Sequence, residues 1–255
     1  MQQYFALDKN LNLNDSDYHH IKNVMRMKKG DKISIVYDNY YYECVLTNVH
    51  DKCEFDVINK TKCNSDYINI TLAFSLIKEQ RLDYLLQKSC EVGVSNFIPL
   101  ITKRTIIKLD KSKYESKIIR WQKICKEASE QSHRNIVPNV NDITNLKNID
   151  TTNYDLKLVC SLNESAQSIK KVLKNNKNYD KILLVIGPEG GLEKEEEKYL
   201  TDNGFILVSL GENVLRAESV GIVAVSMINY EVMRWLIWKN YLHLYLIHLK
   251  IFMII

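Results

Sequence analysis

Proline and glycine are scarce in this 255-residue chain, three and eight residues respectively, and neither a low-complexity tract nor an internal repeat runs through it. Disordered, fibrous and solenoid classes are thereby excluded, and the apolar and charged fractions are those of an ordinary globular protein. No CxxC spacing occurs among Cys44, Cys53, Cys63, Cys90, Cys125 and Cys160. Several of the six lie in apolar periodic runs, where cysteine behaves as a small hydrophobe, so reduced thiols are expected. The histidines are scattered apart from the adjacent His19 and His20, and no carboxylate-histidine spacing suits a ligand set, so no metal is expected. A secretory signal is lacking too: Met-Gln-Gln-Tyr-Phe-Ala-Leu-Asp has neither a basic nor an apolar region, which points to the cytoplasm. The net charge of +4 is mildly basic, compatible with a polyanionic partner without demonstrating one.

Three segments near the N-terminus, Lys32 to Tyr37, Tyr41 to Val49 and Cys53 to Asn59, are rich in β-branched and aromatic residues. Turn residues separate them at Asp38-Asn39 and His50-Asp51, the pattern of a small antiparallel barrel or meander. From about Ile70 the rhythm changes to alternating strand and helix. The predicted strands are Ile70 to Ile77, Asn96 to Ile101, Asp155 to Cys160, Ile182 to Ile186 and Phe205 to Leu210. Helical patterns cover Arg81 to Val92, Lys113 to His133, Ala166 to Leu173, Lys194 to Thr201 and Ser219 to Met233. Such alternation predicts an α/β domain with a mostly parallel sheet, and Ile182 to Ile186, apolar throughout, reads as a strand covered on both faces. Two domains follow, 1–68 and 69–233, with a hydrophobic tail at 234–255. Lys239, His243, His248 and Lys250 argue against a membrane span in that tail; an extra helix or a terminal extension fits better.

The few glycines are concentrated: six of the eight lie between Gly187 and Gly221. Four of the six lie in two loops, Gly187-Pro188-Glu189-Gly190-Gly191-Leu192 and Leu210-Gly211-Glu212-Asn213-Val214-Leu215-Arg216-Ala217-Glu218-Ser219, each after a predicted strand and before a helix. Removing Cβ lets backbone approach a partner closely, so the pair reads as a ligand site. The first loop is neither a Gly-x-Gly-x-x-Gly fingerprint nor a triphosphate-binding Gly-Lys-Ser/Thr loop. Glu189 and the acidic helix start, Glu193, Glu195, Glu196 and Glu197, put negative charge beside it, which suits a sulfonium ligand better than a pyrophosphate. A plain tight turn followed by a solvated acidic helix start also accounts for those residues. Arg216 and Glu218 allow two readings as well, a catalytic pair or a helix-start ion pair capped by Ser219.

Taken together, Gly187-Pro188-Glu189-Gly190-Gly191 and Leu210-Gly211-x-x-Val214-Leu215-Arg216-x-Glu218 closely resemble the bacterial small-subunit ribosomal RNA uridine-N3 methyltransferases, a branch of the SPOUT superfamily. His19-His20-Ile21-x-x-Val24-Met25-Arg26-Met27-Lys28-x-Gly30-Asp31 resembles that family's PUA-like opening. Glu91-Val92-Gly93-Val94, Pro99-Leu100-x-Thr102-x-Arg104, and Glu127-Ala128 with Gln131-Ser132 and Arg134 match its middle motifs in order. The resemblance implies a PUA-like β-barrel, a trefoil knot holding S-adenosylmethionine, a homodimer built through the knot helices, and methylation of a uridine in 16S rRNA of the small ribosomal subunit. The tail beyond Met233 departs from the pattern.

Cofactor contacts then carry over onto Gly187, Glu189, Gly190, Gly191, Leu210, Gly211, Val214 and Leu215, with apolar contact from Leu162. Uridine N3 becomes a nucleophile only as its proton leaves and charge spreads onto the carbonyl oxygens. Glu218 is the candidate proton acceptor and Arg216 the candidate anion stabiliser; the other assignment has Glu218 orienting Arg216. For RNA, His19, His20, Lys22, Arg26, Lys28 and Lys29, interleaved with Tyr18 and followed by Tyr40 to Tyr42, offer phosphate contacts and aromatic planes. Gln131, Ser132, Arg134 and Arg104 are expected to extend that surface. Competing readings are a SPOUT methyltransferase acting on another rRNA or tRNA base, and a non-catalytic RNA-binding assembly factor.

Overall fold

A computed structural model describes residues 1–50, 53–63, 68–176 and 179–232. The expected tail therefore lies outside the described residues. Two compact units emerge, Met1–Tyr67 with Ile119–Asn139, and Ile68–Ile118 with Val140–Ile255. A first boundary near residue 68 is expected from the sequence; assignment of 119–139 to the N-terminal unit is not.

In the N-terminal unit, strand β1 (Gln2–Phe5) precedes helix α1 (Asp15–His19), which continues into a π-helical turn over His20–Val24. Asn14 starts α1 by accepting from the Asp17 amide at 2.8 Å. A meander follows, β2 (Lys32–Tyr37), β3 (Tyr40–Asn48) and β4 (Glu54–Lys62). Asp38 and Asn39 both take positive φ, 46° and 62°, so the two-residue hairpin turn matches the twist of its strands. The sheet order is β1-β2-β3-β4, antiparallel except for β1, which joins β2 in parallel. The β2-β3-β4 meander is antiparallel, as expected from the sequence, and the parallel β1 is an addition to it; among the described residues the strand path is open, with no β4-to-β1 pairing. Polar Gln2-Gln3 hid β1 in the sequence; Gln3 is nonetheless buried and donates to the Arg134 carbonyl at 2.6 Å. Tyr4, Ile21, Ile33, Ile35, Cys44 and Leu46 form the core.

One half-buried cation organises the charges of this unit. Lys126 Nζ lies 2.6 Å from Asp17 and 2.5 Å from Glu130. Burial alone would lower the Lys126 ammonium, but its hydrogen bonds to both carboxylates outweigh that and hold it above the usual lysine range. Burial likewise pushes the Glu130 carboxyl up, against the pull of Lys126.

The second unit is built on a parallel sheet. Its elements are β5 (Asn69–Ser75), α2 (Glu79–Glu91), β6 (Asn96–Ile101), α3 (Tyr114–Gln131, shared between units), β7 (Asn139–Val140), β8 (Thr144–Asn145), β9 (Leu156–Cys160), β10 (Gln167–Ser168), α4 (Ile169–Asn175), β11 (Lys181–Ile186), α5 (Lys194–Asp202) and β12 (Ile206–Ser209). A last helix, α6, is described over 217–232. Strand order is β10-β12-β9-β11-β5-β6-β7, with β8 also on β6. Ile182 to Ile186 of β11 are buried between β5 and β9, as an all-apolar run demands.

Parallel registers bring the C-terminal ends of β5, β9, β11 and β12 to one edge: Ile186 pairs with Phe74, Val185 with Val159, Val208 with Cys160. Ligands of open parallel sheets bind at that edge. After β12, on the far side of β9, the chain returns to lay α6 against the sheet centre. A Cβ at Gly221 would sit 3.0 Å from Leu72 of β5 and 3.5 Å from Ile186 of β11, so this crossing needs glycine.

Candidate active site

The loop after β11 is closed on itself. A Cβ at Gly187 would come within 3.0 Å of the Leu192 amide, and Gly191 has φ +70°, which favours glycine. Arg104, in the loop after β6, fastens it from outside. Its guanidinium spans both oxygens of Glu193 at 2.9 and 3.2 Å and donates to the Gly190 carbonyl at 2.6 Å. Those hydrogen bonds hold the Arg104 guanidinium above its ordinary range. Glu193 and Glu196 form a capping box at the start of α5, and buried Glu196 also accepts from the Lys103 amide at 2.8 Å. Glu197 takes a hydrogen bond from Ser161 after β9.

These contacts revise the electrostatics expected of the acidic loop. Glu189 faces Arg81 at 3.2 Å, Glu193 faces Arg104 and Glu195 lies 3.5 Å from Lys103. The negative field is largely countered by three basic residues, which leaves backbone groups and apolar side chains as the ligand-facing chemistry.

The second loop is built differently. Gly211 has φ +145° and open space around the position of a Cβ, as Gly191 does. Val214 is 74% exposed, and Leu162 in the neighbouring loop after β9 is 73% exposed. Leu210 and Leu215 are half-buried and Arg216 is exposed. Arg216 starts α6 through its carbonyl, which accepts from Ser219 at 2.8 Å and Val220 at 3.1 Å, while its guanidinium has no partner among the described residues.

Glu218, one turn before Gly221, is 8% exposed. Its Oε1 lies 3.8 Å from Nε of Arg81, and its buried Oε2 has no hydrogen-bond partner. A carboxylate oxygen withheld from water and left unpaired is costly, and packing alone does not account for it. The structure thus brings Glu218 and the glycine loop together through Arg81, and of the two readings left open for Arg216 and Glu218 the helix-start ion pair is not formed: Glu218 faces Arg81 instead. Arg81 escaped sequence reasoning because its two partners are 108 and 137 residues away. The available signal was an arginine in the first turn of α2, where the helix dipole disfavours a cation.

Of the expected RNA residues, His19 at the end of α1 and Lys22, Arg26 and Lys28 on and after the π-helical turn are exposed, and Arg26 takes φ +52°. His20 is half-buried, its Nδ1 3.0 Å from the Tyr4 hydroxyl. Lys22 donates to the His50 carbonyl and to Tyr18. Lys60 covers Tyr40 and Tyr42, 4.1 and 5.2 Å from their ring centres, so those rings already hold a cation. Gln131 is exposed and Arg134 half-buried at the end of α3, where His133 at φ +55° turns the chain. Arg104, expected on the RNA-facing surface, has its guanidinium on the glycine loop. Among the described residues no cluster of three or more His, Cys, Asp or Glu could hold a metal, and no helix is long and apolar enough to cross a membrane.

A parallel sheet with a glycine cradle at its edge and, in a separate unit, a small sheet carrying a basic turn define a class. The family model described as an RNA methyltransferase domain matches residues 64–229, and that of an RNA methyltransferase PUA domain matches 13–58. The chain is 36% identical over 224 residues to the ribosomal RNA small subunit methyltransferase E of Bacillus subtilis, covering 84% of this chain and 88% of that one. It is 31% identical to the protein of the same name from Mesomycoplasma hyopneumoniae, covering 87% and 92%. Its fold matches the crystal structure of the Neisseria gonorrhoeae methyltransferase E bound to S-adenosylmethionine with a TM-score of 0.77 at 28% identity, over 90% of this chain and 97% of that one. The chain belongs to the ribosomal RNA small subunit methyltransferase E family.

Proposed function

We propose that this protein methylates N3 of one uridine in 16S rRNA with S-adenosylmethionine as donor. The names of its relatives and the donor bound to the Neisseria structure support the reaction class. The observation that carries the reading is the buried, unpaired Oε2 of Glu218 beside a glycine cradle.

The residues present fit the donor. Gly191 and Gly211 leave open space where a Cβ would stand, and the exposed Leu162 and Val214 offer apolar surface to an adenine. Gly187, Glu189, Gly190, Leu210 and Leu215 complete the set that would hold it. Bound there, S-adenosylmethionine supplies an electrophilic methyl group.

The protein's own part is proton and charge management. Glu218 accepts the N3 proton; the remaining negative charge spreads over N3 and the flanking carbonyl oxygens. Arg216, unpaired in this chain, stabilises that charge. The return of α6 across the strand ends supports a knotted chain, and the half-buried apolar residues Val220, Ile222, Val223 and Met227 on α6 support a homodimer through this helix. His19, Arg26, Lys28 and Lys29 of the PUA-like unit contact rRNA phosphates. A ribosomal RNA substrate assigns the protein to the cytoplasm.

Mass mapping of 16S rRNA from a strain lacking the gene tests the reading: loss of one methyl at a single uridine is expected. An intact rRNA map with a missing tRNA methyl would select the transfer-RNA alternative, and no missing methyl at all would select the assembly factor.

A further inference from the structure

Between β6 and α3 the chain runs through Thr102-Lys-Arg-Thr-Ile-Ile-Lys-Leu-Asp-Lys-Ser-Lys113, with five basic residues and one acid. The acid is occupied locally: Asp110 accepts from the Ser112 amide at 3.0 Å, which holds its carboxyl below the usual range. The two halves of this loop differ. Its root is fastened, with Thr102 buried on Ser75, the Lys103 amide on Glu196, and Arg104 on Gly190 and Glu193. Its outer half is open to solvent. Lys108, Lys111 and Lys113 are exposed and make no ion pair among the described residues, and Ile106 beside them is 75% exposed.

A cationic outer half with one bare apolar side chain suits the phosphates of single-stranded RNA and one unstacked base. Its root and the glycine loop share the Arg104 and Glu193 contacts, so ordering one orders the other. Two sites that bias one shared element are coupled reciprocally.

We propose that the outer half of this loop, Lys108 to Lys113, forms a second RNA-phosphate contact surface, and that Arg104 at its root couples RNA binding there to cofactor binding in the glycine loop. The inference rests on the cofactor assignment above, but its test separates the two.

The full-length protein is titrated with a fluorescein-labelled 20-nucleotide oligouridine over a range of salt concentrations. Replacing Lys108, Lys111 and Lys113 together by alanine should reduce the slope of log K against log salt by about 2, three contacts at about 0.7 each. Binding of S-adenosylmethionine to this variant alone, by calorimetry, should match the wild type. In the wild type a saturating oligouridine should tighten S-adenosylmethionine binding by about fivefold or more. Arg104→Gln should lose that tightening while keeping the wild-type salt slope; Arg104→Lys, whose single ammonium nitrogen does not reproduce the planar fork across both Glu193 oxygens and the Gly190 carbonyl, should lose most of it. An unchanged slope in the triple variant overturns the surface, as it would if the lysines served an acidic protein instead. Full tightening in both Arg104 variants, or none in the wild type, overturns the coupling. A wild type that shows these slopes yet leaves 16S rRNA unmethylated would sink the function proposed above and spare this inference.

Discussion

The two loops of the candidate site are opposites in construction. The glycine loop at 187–193 is tied down from three sides, by Arg104 on Gly190 and Glu193, by Arg81 on Glu189, and by the Glu193–Glu196 capping box. The loop at 210–216 leaves Val214 and Arg216 exposed, and the Arg216 guanidinium has no partner among the described residues. Each follows a parallel strand at the same sheet edge, so topology alone does not separate them. The difference lies in charged partners recruited from distant sequence, and it assigns them different work. A fastened loop presents backbone groups in a fixed geometry; a free one can close once a ligand arrives. Glu218 stands at the junction, on the free loop's helix but facing the Arg81 that also holds the fastened loop.

Substitutions can sharpen or break that contrast. The largest effect is expected at Glu218: Glu218→Gln keeps the shape but removes the charge and cannot take a proton, so single-turnover methylation should fall by about 10²- to 10⁴-fold with cofactor affinity unchanged. Full activity in that variant would leave Glu218 as a structural group. Next comes Arg104→Ala, which releases the Gly190 carbonyl and Glu193 together. Since the guanidinium is partly solvated, calorimetry should show S-adenosylmethionine affinity reduced by about tenfold rather than abolished. Arg81→Lys should cost less. A lysine has one nitrogen where Arg81 turns two different ones toward Glu189 and Glu218, so the rate at saturating cofactor should drop by about fivefold, with a smaller change in affinity. The smallest effect on the apo protein belongs to Val214→Ala. Stability should stay within about 0.5 kcal/mol by denaturant titration, while cofactor affinity weakens by a few-fold as apolar contact is lost. A large loss of stability there would mean the second loop is not free.

Much of this organisation was legible in the residues. The apolar run Ile182 to Ile186 announces a doubly covered strand, and Asp38-Asn39 announces a hairpin turn, because each is settled by local chemistry. The glycines of the two loops are equally readable, since a positive φ at Gly191 or Gly211 is a local demand. What could not be read was set by distant partners. Strand β1 exists because β2 offers it a parallel edge, not because Gln2-Gln3-Tyr4-Phe5 favours a strand. The glutamates around 189–196 look like an anionic field until Arg81, Arg104 and Lys103, some 90 to 110 residues upstream, are placed against them. Charge in a sequence is a count; charge at a site depends on which counter-ions the fold delivers.

Hydrogen exchange followed by mass spectrometry, on the protein alone and with saturating S-adenosylmethionine, tests the division between fastened and free loops most directly. The Gly191 and Glu193 amides, which donate to the Pro188 carbonyl and to the Glu196 carboxylate, should exchange slowly in both samples, while the amides of 210–216 should exchange fast in the protein alone and become protected on addition of the cofactor. Fast exchange at Gly191 and Glu193 without ligand, or no protection gained at 210–216 with it, would contradict the account.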